Sequence, residues 1–194
     1  ILDDARFSPN GGNRQPWRVA VVKDPALRRT LADLSQPVWD EYLAISATGV
    51  TPFSATQAAQ YELSKGAIKS VSNSLFDGIE SVPVVLVVAA DLGAVAMMDK
   101  ELDYRPPIIG GASVHPFCWS ILLAARARGL GGVLTTLLAR VEPAAAGPLG
   151  LPSNYAIAAM LYLGYPVHQP TKLKRRAVEK FTTVDRFDGP AFTV

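Results

Sequence analysis

The sequence predicts a single α+β domain, and three observations support this prediction. The chain has 194 residues, 49% of them apolar, which is enough to bury a substantial core in one domain. Several short segments are continuous apolar runs, as buried strands are. Longer segments between them carry helix start and stop signals, and the irregular stretches at 48–52 and 101–111 are too short to separate domains. We therefore expect residues 1–194 to form one unit.

Four segments are predicted to be strands because each is largely a continuous apolar run. These segments are 18–22, 83–90, 132–138 and 156–166. Their apolar residues do not alternate with polar ones, and such runs are typical of strands that are covered on both faces. The sequence therefore predicts helices on both faces of the sheet.

Helices are predicted over residues 25–36, 54–77, 113–128 and 143–149. Pro25 opens the first after Asp24, which occupies an N-cap position. The third is the best defined: Ser113 is a candidate cap, Pro116 lies in the first turn, and Gly129 would end the helix. Helices thus alternate with strands along most of the chain.

The composition argues against several classes of function. The chain has 19 basic and 17 acidic residues, so its net charge of +2 gives no general attraction to nucleic acid. Cys118 is the single cysteine, which excludes an intramolecular disulfide and a multi-cysteine zinc site and fits a reducing compartment. The longest apolar run, 82–90, is far shorter than the roughly 20 residues of a membrane helix. We expect a cytoplasmic protein that has neither a membrane nor nucleic acid as partner.

The stretch SPNGGNRQPW, residues 8–17, is unusually rich in amide side chains for a turn before a strand. Asn10, Asn13 and Gln15 offer paired donors and acceptors, and the two glycines allow a ligand to approach the main chain closely. A heteroaromatic ring with alternating carbonyl and N–H groups would suit such a wall. The alternative is an ordinary Asx-type turn, with Trp17 packing in the core.

Three blocks of sequence, in the same order, match one family of proteins. SPNGGNRQPWRVAVVKDPALRRTLADL contains Asn-x-Gln-Pro-Trp, then a strand, then an acidic residue and a helix. IIGGASVHPFCWSILLAARARGLGGVLTT contains a Ser-hydrophobic-x-Pro helix start and a Gly-Leu-Gly exit. YAIAAMLYLGYPVHQPTKLKRRAVEKFTTVDRF combines a strand with a basic tail. Together they resemble the nitroreductase family of flavin enzymes, with residues 37–80 matching only loosely.

The resemblance implies a fold, a cofactor and an assembly. Nitroreductases are similar to one another in a mixed central sheet flanked by helices on both faces, in an intertwined homodimer, and in FMN bound at the dimer interface. By this resemblance one wall of the flavin site would be formed by Pro9, Asn10, Gly11, Asn13 and Gln15. The other side would be formed by Thr135, Thr136, Leu137 and Leu138. The phosphate would be held by Lys174 and Arg175, with Lys172 or Arg176 as alternatives.

Two departures from the family pattern concern the phosphate. The family usually opens with an Arg-x-Ser segment that also binds phosphate, and no residues here match it. Because residues 1–9 resemble the end of a helix that leads into a loop, we expect a further segment upstream of Ile1. Ala177 stands where the family commonly has a proline just after its basic pair, which leaves registers about one residue apart open for the phosphate ligands.

The resemblance implies an oxidoreductase that transfers hydride from NAD(P)H through flavin N5 to nitroaromatic, quinone or similar small-molecule acceptors. In this scheme the cofactor carries the chemistry, so no catalytic side chain and no metal are expected. The alternative is a non-catalytic flavin-binding or flavin-sensing protein on the same scaffold, favoured by the missing Arg-x-Ser segment.

Two other features have a structural and a functional interpretation. His115 and Cys118 are three residues apart on a predicted helix and could form a thiolate–imidazole pair, although lone buried cysteines usually serve packing. The glycine cluster at 129–132 leaves a helix and enters a strand, the reverse of a dinucleotide-binding turn. We interpret that cluster as a helix stop.

Overall fold

The structure, a computed structural model, describes residues 1–55 and 68–193. Its helices are α1 Leu2–Ala5, α2 Pro25–Ser46, α3 His115–Ala127, α4 Leu137–Arg140 and α5 Glu142–Leu149. Its strands are β1 Trp17–Val22, β2 Val84–Asp91, β3 Gly131–Thr135 and β4 Tyr155–Gly164. The predicted strands 18–22, 83–90 and 156–166 and the predicted helices 113–128 and 143–149 are confirmed within two residues at each end.

The strands form one sheet in the order β1-β2-β4-β3. Each described pair of neighbours is antiparallel, with Trp17 opposite Ala90 and Thr135 opposite Met160. The parallel pairing expected of a mixed sheet is therefore not among the described strands. β2 and β4 occupy the centre of the sheet, which leaves β1 and β3 at its two edges.

The sheet is covered on both faces, as the apolar runs predict. Along β2, Leu86 and Val88 belong to a core cluster that includes α3, whereas Val85 and Val87 belong to a second cluster on the other face. The second cluster packs against buried residues of α2, α4 and α5, together with Phe76 and Ile79. Since successive residues of a strand point to opposite faces, a run of apolar residues supplies both cores at once.

A β-bulge in β4 connects the sheet to α5. The register shifts between Val88, which is opposite Ala159, and Ala89, which is opposite Ile157, so Ala158 is an extra residue. The carboxylate of Glu142, the first residue of α5, accepts a hydrogen bond from Ile157 N–H. The bulge therefore has a polar partner, and α5 is held against the strand.

Two predicted boundaries are wrong. The predicted strand 132–138 ends at Thr135, because the chain turns at Thr136 and continues as α4. The predicted helix 25–36 begins as expected, with Asp24 Oδ1 accepting from Ala26 N–H, but it runs to Ser46. Pro37 inside it costs one helical hydrogen bond, yet buried residues continue beyond it as far as Ile45. Packing of those residues favours the longer helix.

The predicted helix 54–77 is not found in its described C-terminal part, and residues 56–67 lie outside the described residues. Residues 68–73 have no regular secondary structure, and Asn73 then opens a turn, because its Oδ1 accepts from Leu75 N–H and its carbonyl accepts from Phe76 and Asp77 N–H. The resulting turn buries Phe76 in the second core cluster. Among the described helices, none has the length and apolar character that crossing a membrane requires.

Candidate functional site

The amide-rich stretch forms a loop that Asn10 closes on itself. Asn10 Oδ1 accepts a hydrogen bond from Gln15 N–H at 2.8 Å, and Asn10 Nδ2 donates to the carbonyl of Ser8 at 3.1 Å. Within the loop, Gly12, Asn13 and Gln15 have positive φ angles of 62°, 53° and 49°. Left-handed backbone is uncommon for a residue such as glutamine, so the surrounding contacts must hold the loop in this conformation.

The closed loop presents two amide side chains together. Gln15 Nε2 donates to Asn13 Oδ1 at 3.4 Å, and both residues are exposed. Asn13 Nδ2 and Gln15 Oε1 make no hydrogen bond to the part of the chain that the structure describes. One donor group and one acceptor thus remain for a ligand. Nearby, Ser8 Oγ is buried without a partner among the described residues.

Contacts distant in sequence anchor this loop. Gly11 N–H donates to Ser113 Oγ at 3.1 Å, and Pro16 C=O accepts from Asp91 N–H at 2.9 Å. The ring of Trp17 stacks on Phe117, with centroids 4.5 Å apart and planes 3° from parallel. Trp17 therefore packs against the core, as the Asx-turn alternative predicts, while the amides of Asn13 and Gln15 remain exposed. Ser113 was predicted to cap α3, which is wrong: Val114 holds that position, and the Ser113 hydroxyl binds the loop.

Next to the Asn10–Gln15 loop lies an open cavity of about 440 Å³, a volume within the usual range for small-molecule sites. Its lining residues combine loop backbone with small or apolar side chains: Pro9, Asn10, Gly11, Ala96, Met98, Ile109, Ala112 and Ser113. None of these lining side chains is ionisable. The cavity can accept a flat, largely apolar molecule beside a wall of polar backbone.

The second predicted wall lies elsewhere in the chain. Thr135 ends β3, and its Oγ1 accepts from Leu137 N–H at 3.3 Å at the start of α4. Leu138 is fully buried in the second core cluster, so it can offer a ligand only its main chain. Because β1 and β3 are the two edge strands, three strand spacings apart, roughly 14 Å separates the two walls across the sheet. The described lining of the cavity beside Asn10 includes none of the residues from Thr135 to Leu138.

The basic tail is exposed. Lys174 and Arg175 are both accessible to solvent, as are Lys172 and Arg176, and Arg175 Nη1 donates only to the Lys174 carbonyl, at 2.8 Å. The hydrogen bonds described for residues 170–193 join tail residues to one another. The tail therefore does not complete the amide loop of its own chain in the described structure.

The two members of the expected thiolate–imidazole pair have different surroundings, and no hydrogen bond joins them among the described residues. Cys118 is buried in the core cluster around α3, and loss of solvation there raises the pKa of its thiol to about 11. The thiol is therefore protonated at neutral pH. His115 is exposed, and its ring packs against Gly111 instead. The helix-stop interpretation is confirmed, since Gly129 follows α3 with a φ of 77°.

The metal-ligating residue types do not gather in the described ranges, where no group of three or more His, Cys, Asp or Glu could hold an ion. Sequence reasoning missed the cavity's other wall, which comes from residues 96–112. Its one visible signal is the apolar, glycine-rich stretch PPIIGG immediately before the third helix.

Residues 1–165 match the model of the nitroreductase family. The chain belongs to this family. It is 28% identical over 180 residues to the NADH dehydrogenase of Thermus thermophilus, covering 93% of this chain and 80% of that protein. It is 25% identical over 201 residues to the nitrobenzene nitroreductase of Ectopseudomonas oleovorans, covering 94% of this chain and 84% of that protein.

A solved structure shows the same fold. Oxidized iodotyrosine deiodinase bound to FMN and 3-iodo-L-tyrosine matches with a TM-score of 0.60 and 20% identity, covering 94% of this chain and 84% of that chain. This nitroreductase-family chain is thus an oxidoreductase by its family, and relatives of different activity share its fold.

Proposed function

We propose that this nitroreductase-family protein is an FMN-dependent oxidoreductase that takes hydride from NAD(P)H and passes electrons to nitroaromatic, quinone or similar small acceptors. The observation that carries the proposal is the closed loop with its two exposed amides beside an open cavity of about 440 Å³. A flavin-like ring edge, with alternating carbonyl and N–H groups, matches the unpaired atoms Asn13 Nδ2 and Gln15 Oε1.

The residues present fit FMN. Asn13 and Gln15 would hold the ring edge with their side chains, while Pro9, Asn10 and Gly11 would contact it through their main chain. The main chain of Thr135 to Leu138 would contact the opposite side, and Lys174 and Arg175 would bind the phosphate. When bound, FMN supplies a centre that accepts a hydride and releases electrons. The chain's own part is to position the ring and exclude water from the cavity.

The side chains that line the cavity are consistent with a site in which FMN carries the redox chemistry and the protein positions it. A site that hydrolyses its substrate needs an acid, a base or a nucleophile in the cavity. The lining side chains near Asn10 are apolar, small or neutral, and the nearby thiol of Cys118 is buried and protonated. A cavity without ionisable lining suits a cofactor that carries the reaction itself.

The direct experiment is to purify the protein, record its flavin spectrum and add NADH or NADPH without oxygen. We expect a yellow protein whose flavin is bleached by NADH or by NADPH. Nitrobenzene or a quinone should then reoxidise the flavin. A flavin that stays oxidised with both nicotinamides would instead support the non-catalytic flavin-binding alternative. A colourless protein that does not take up added FMN would contradict both.

We further propose a homodimer with FMN at the interface. The two walls lie at opposite edges of one sheet, so a second copy is needed to bring the Asn10–Gln15 loop, the Thr135–Leu138 segment and the tail together. The tail also exposes large apolar side chains, including Tyr165 at 83% and Phe187 at 105% of their full area. Such residues are normally covered by a partner when they are this numerous.

Removing the tail tests this assembly. A chain that ends at Gly164 should sediment as a monomer and lose FMN, whereas the flavin-loaded full chain should sediment as a dimer whose interface exceeds roughly 2,000 Å² in total. Analytical ultracentrifugation at micromolar protein concentration distinguishes the monomer from the dimer, and flavin absorbance in the sedimenting boundary shows whether FMN is retained. A full-length monomer that retains one FMN per chain would refute the shared site.

Substituting the two amides tests the loop itself. Asn13→Ala and Gln15→Ala should each weaken FMN binding by about 0.5–1.5 kcal/mol, a factor of roughly 2 to 12, because each removes one polar contact. Fluorescence titration measures this change, and thermal unfolding should be nearly unaffected because both side chains are exposed. Asn154→Ala, an exposed amide outside the loop, is the matched control. Variants that unfold early but bind FMN normally would show that the loop is structural only.

A further inference from the structure

The segment between β2 and α3 folds around one buried carboxylate. Asp99 keeps only 5% of its side chain exposed and accepts three hydrogen bonds from residues that follow it. Asp99 Oδ2 accepts from Arg105 Nη1 at 2.7 Å and from Ile108 N–H at 2.8 Å, and Asp99 Oδ1 accepts from Ile109 N–H at 3.3 Å. A single side chain thus joins the turn at 97–100 to the turn at Ile109–Gly111.

These bonds favour the charged carboxylate. The hydrogen bond from Ile108 N–H and then that from Arg105 lower the pKa of Asp99 below its ordinary value. Stability from this group is therefore present above the ordinary pKa of an aspartate and is lost as the pH falls through the lowered value. At neutral pH the carboxylate holds both backbone N–H groups, which would otherwise lack a partner within the segment.

The two turns that Asp99 joins carry the apolar wall of the cavity. Met98 precedes Asp99 directly, Ile109 donates to it, and both line the cavity opposite the Asn10 loop. Met98 is 84% exposed, so its side chain is accessible to a ligand in the cavity. Gly110 lies close to the side chain of Met97. A Cβ placed on Gly110 would be only 3.3 Å from Met97 Cγ.

The same segment is continuous with the amide loop. Ala112 N–H donates to Ile109 C=O at 2.9 Å, and the next residue, Ser113, accepts from Gly11 N–H at 3.1 Å. A displacement of Ile109 would therefore move both the apolar wall and the anchor of the polar wall.

We propose that Asp99 and Arg105 position the wall of the cavity, and that Met98 and Ile109 on that wall select flat aromatic acceptors over charged non-aromatic ones. This rests on the proposed function, because it places the electron acceptor in the same cavity as the flavin, in the part beside Met98 and Ile109 that the ring would leave open. Met98 and Ile109 present apolar surface to a ring, and a thioether packs favourably against an aromatic edge. A charged acceptor gains nothing from such a wall and would lose hydration there.

The test compares Asp99→Asn with Asp103→Asn, an exposed carboxyl of the same segment, in the flavin-loaded full-length protein. We expect hydrogen exchange across 97–111 to become at least about tenfold faster in Asp99→Asn only, because the amide cannot accept both backbone bonds in the same way. At saturating FMN, the KM for nitrobenzene should rise about tenfold, while turnover with ferricyanide should stay within about threefold. Asp99→Glu should restore part of the exchange protection.

Two further variants keep the proposal testable if Asp99→Asn fails to fold. Met98→Ala and Ile109→Ala should raise the KM for nitrobenzene, and not that for ferricyanide, without faster exchange in the rest of the segment. An unchanged KM for nitrobenzene in both would overturn the acceptor role. Unchanged exchange in Asp99→Asn would overturn the positioning role of Asp99. A wild type that binds no flavin would overturn the proposed function and with it the acceptor role, whereas the exchange comparison in that protein would still decide whether Asp99 orders the segment.

Discussion

Replacing both Lys174 and Arg175 with alanine is expected to weaken FMN binding by about two to four orders of magnitude. A charge-assisted hydrogen bond contributes about 1.5–3 kcal/mol, so the pair contributes about 3–6 kcal/mol if both cations bind the phosphate. In the single chain both side chains are exposed and Arg175 donates only to the neighbouring carbonyl, so their charges are available to a ligand. Titration of the apoprotein with FMN, followed by flavin fluorescence, measures the change.

Salt and a second tail cation serve as controls for that result. The wild-type affinity should fall as salt is raised, and the double variant should lose most of this dependence, because exposed charges are screened over about 8 Å at physiological ionic strength. Lys180→Ala, in the same tail, should bind FMN as the wild type does. Unchanged affinity in the double variant would move the phosphate site to other residues, with Lys172 and Arg176 as the next pair to substitute.

The second large effect concerns stability. Ile121→Ala should reduce the free energy of unfolding by about 2–5 kcal/mol, because it leaves a cavity between α3 and the sheet that the surroundings fill only in part. Ile121 is fully buried in the cluster that also contains Cys118 and Leu161. Urea denaturation at one fixed protein and FMN concentration measures the loss, since ligand and assembly both shift apparent stability.

A graded substitution is the matched control. Ile121→Val removes one methylene and should cost about 0.5–1.5 kcal/mol, in proportion to the smaller volume lost. If the alanine variant loses less than the valine variant is expected to lose, then α3 does not pack on the sheet as the structure shows. The helix and its core cluster would need reassignment.

Much of the fold follows from local patterns in the sequence. The apolar run at 83–90 predicts a strand buried on both faces. Its consecutive residues Leu86 and Val87 do face two different helical layers. Gly129 predicts the end of α3, and its positive φ shows why a residue without a Cβ stands there. These features depend on neighbours within a few residues, so the sequence alone contains them.

Boundaries that depend on packing were not predictable in this way. Pro37 favours ending α2, but the buried residues that follow it stabilise the longer helix. The stretch 132–138 is mostly apolar, yet Leu138 belongs to the core cluster on the other face of the sheet from Leu134 of β3, because the chain turns at Thr136. Periodicity does not show where a buried strand becomes a buried helix.

The same distinction between local sequence patterns and packing applies to the candidate site. The sequence by itself determined that a stretch rich in amides and glycines, residues 8–17, precedes the first strand, and family resemblance predicts the flavin that this stretch would hold. Only the tertiary structure decided that Asn10 closes the loop, that Ser113 anchors Gly11 from 102 residues away, and that Asp99 accepts a hydrogen bond from Ile109 N–H in the facing wall. The reason is physical: a hydrogen bond between distant residues forms only after the chain has packed, and no local pattern encodes which buried polar group will find which partner.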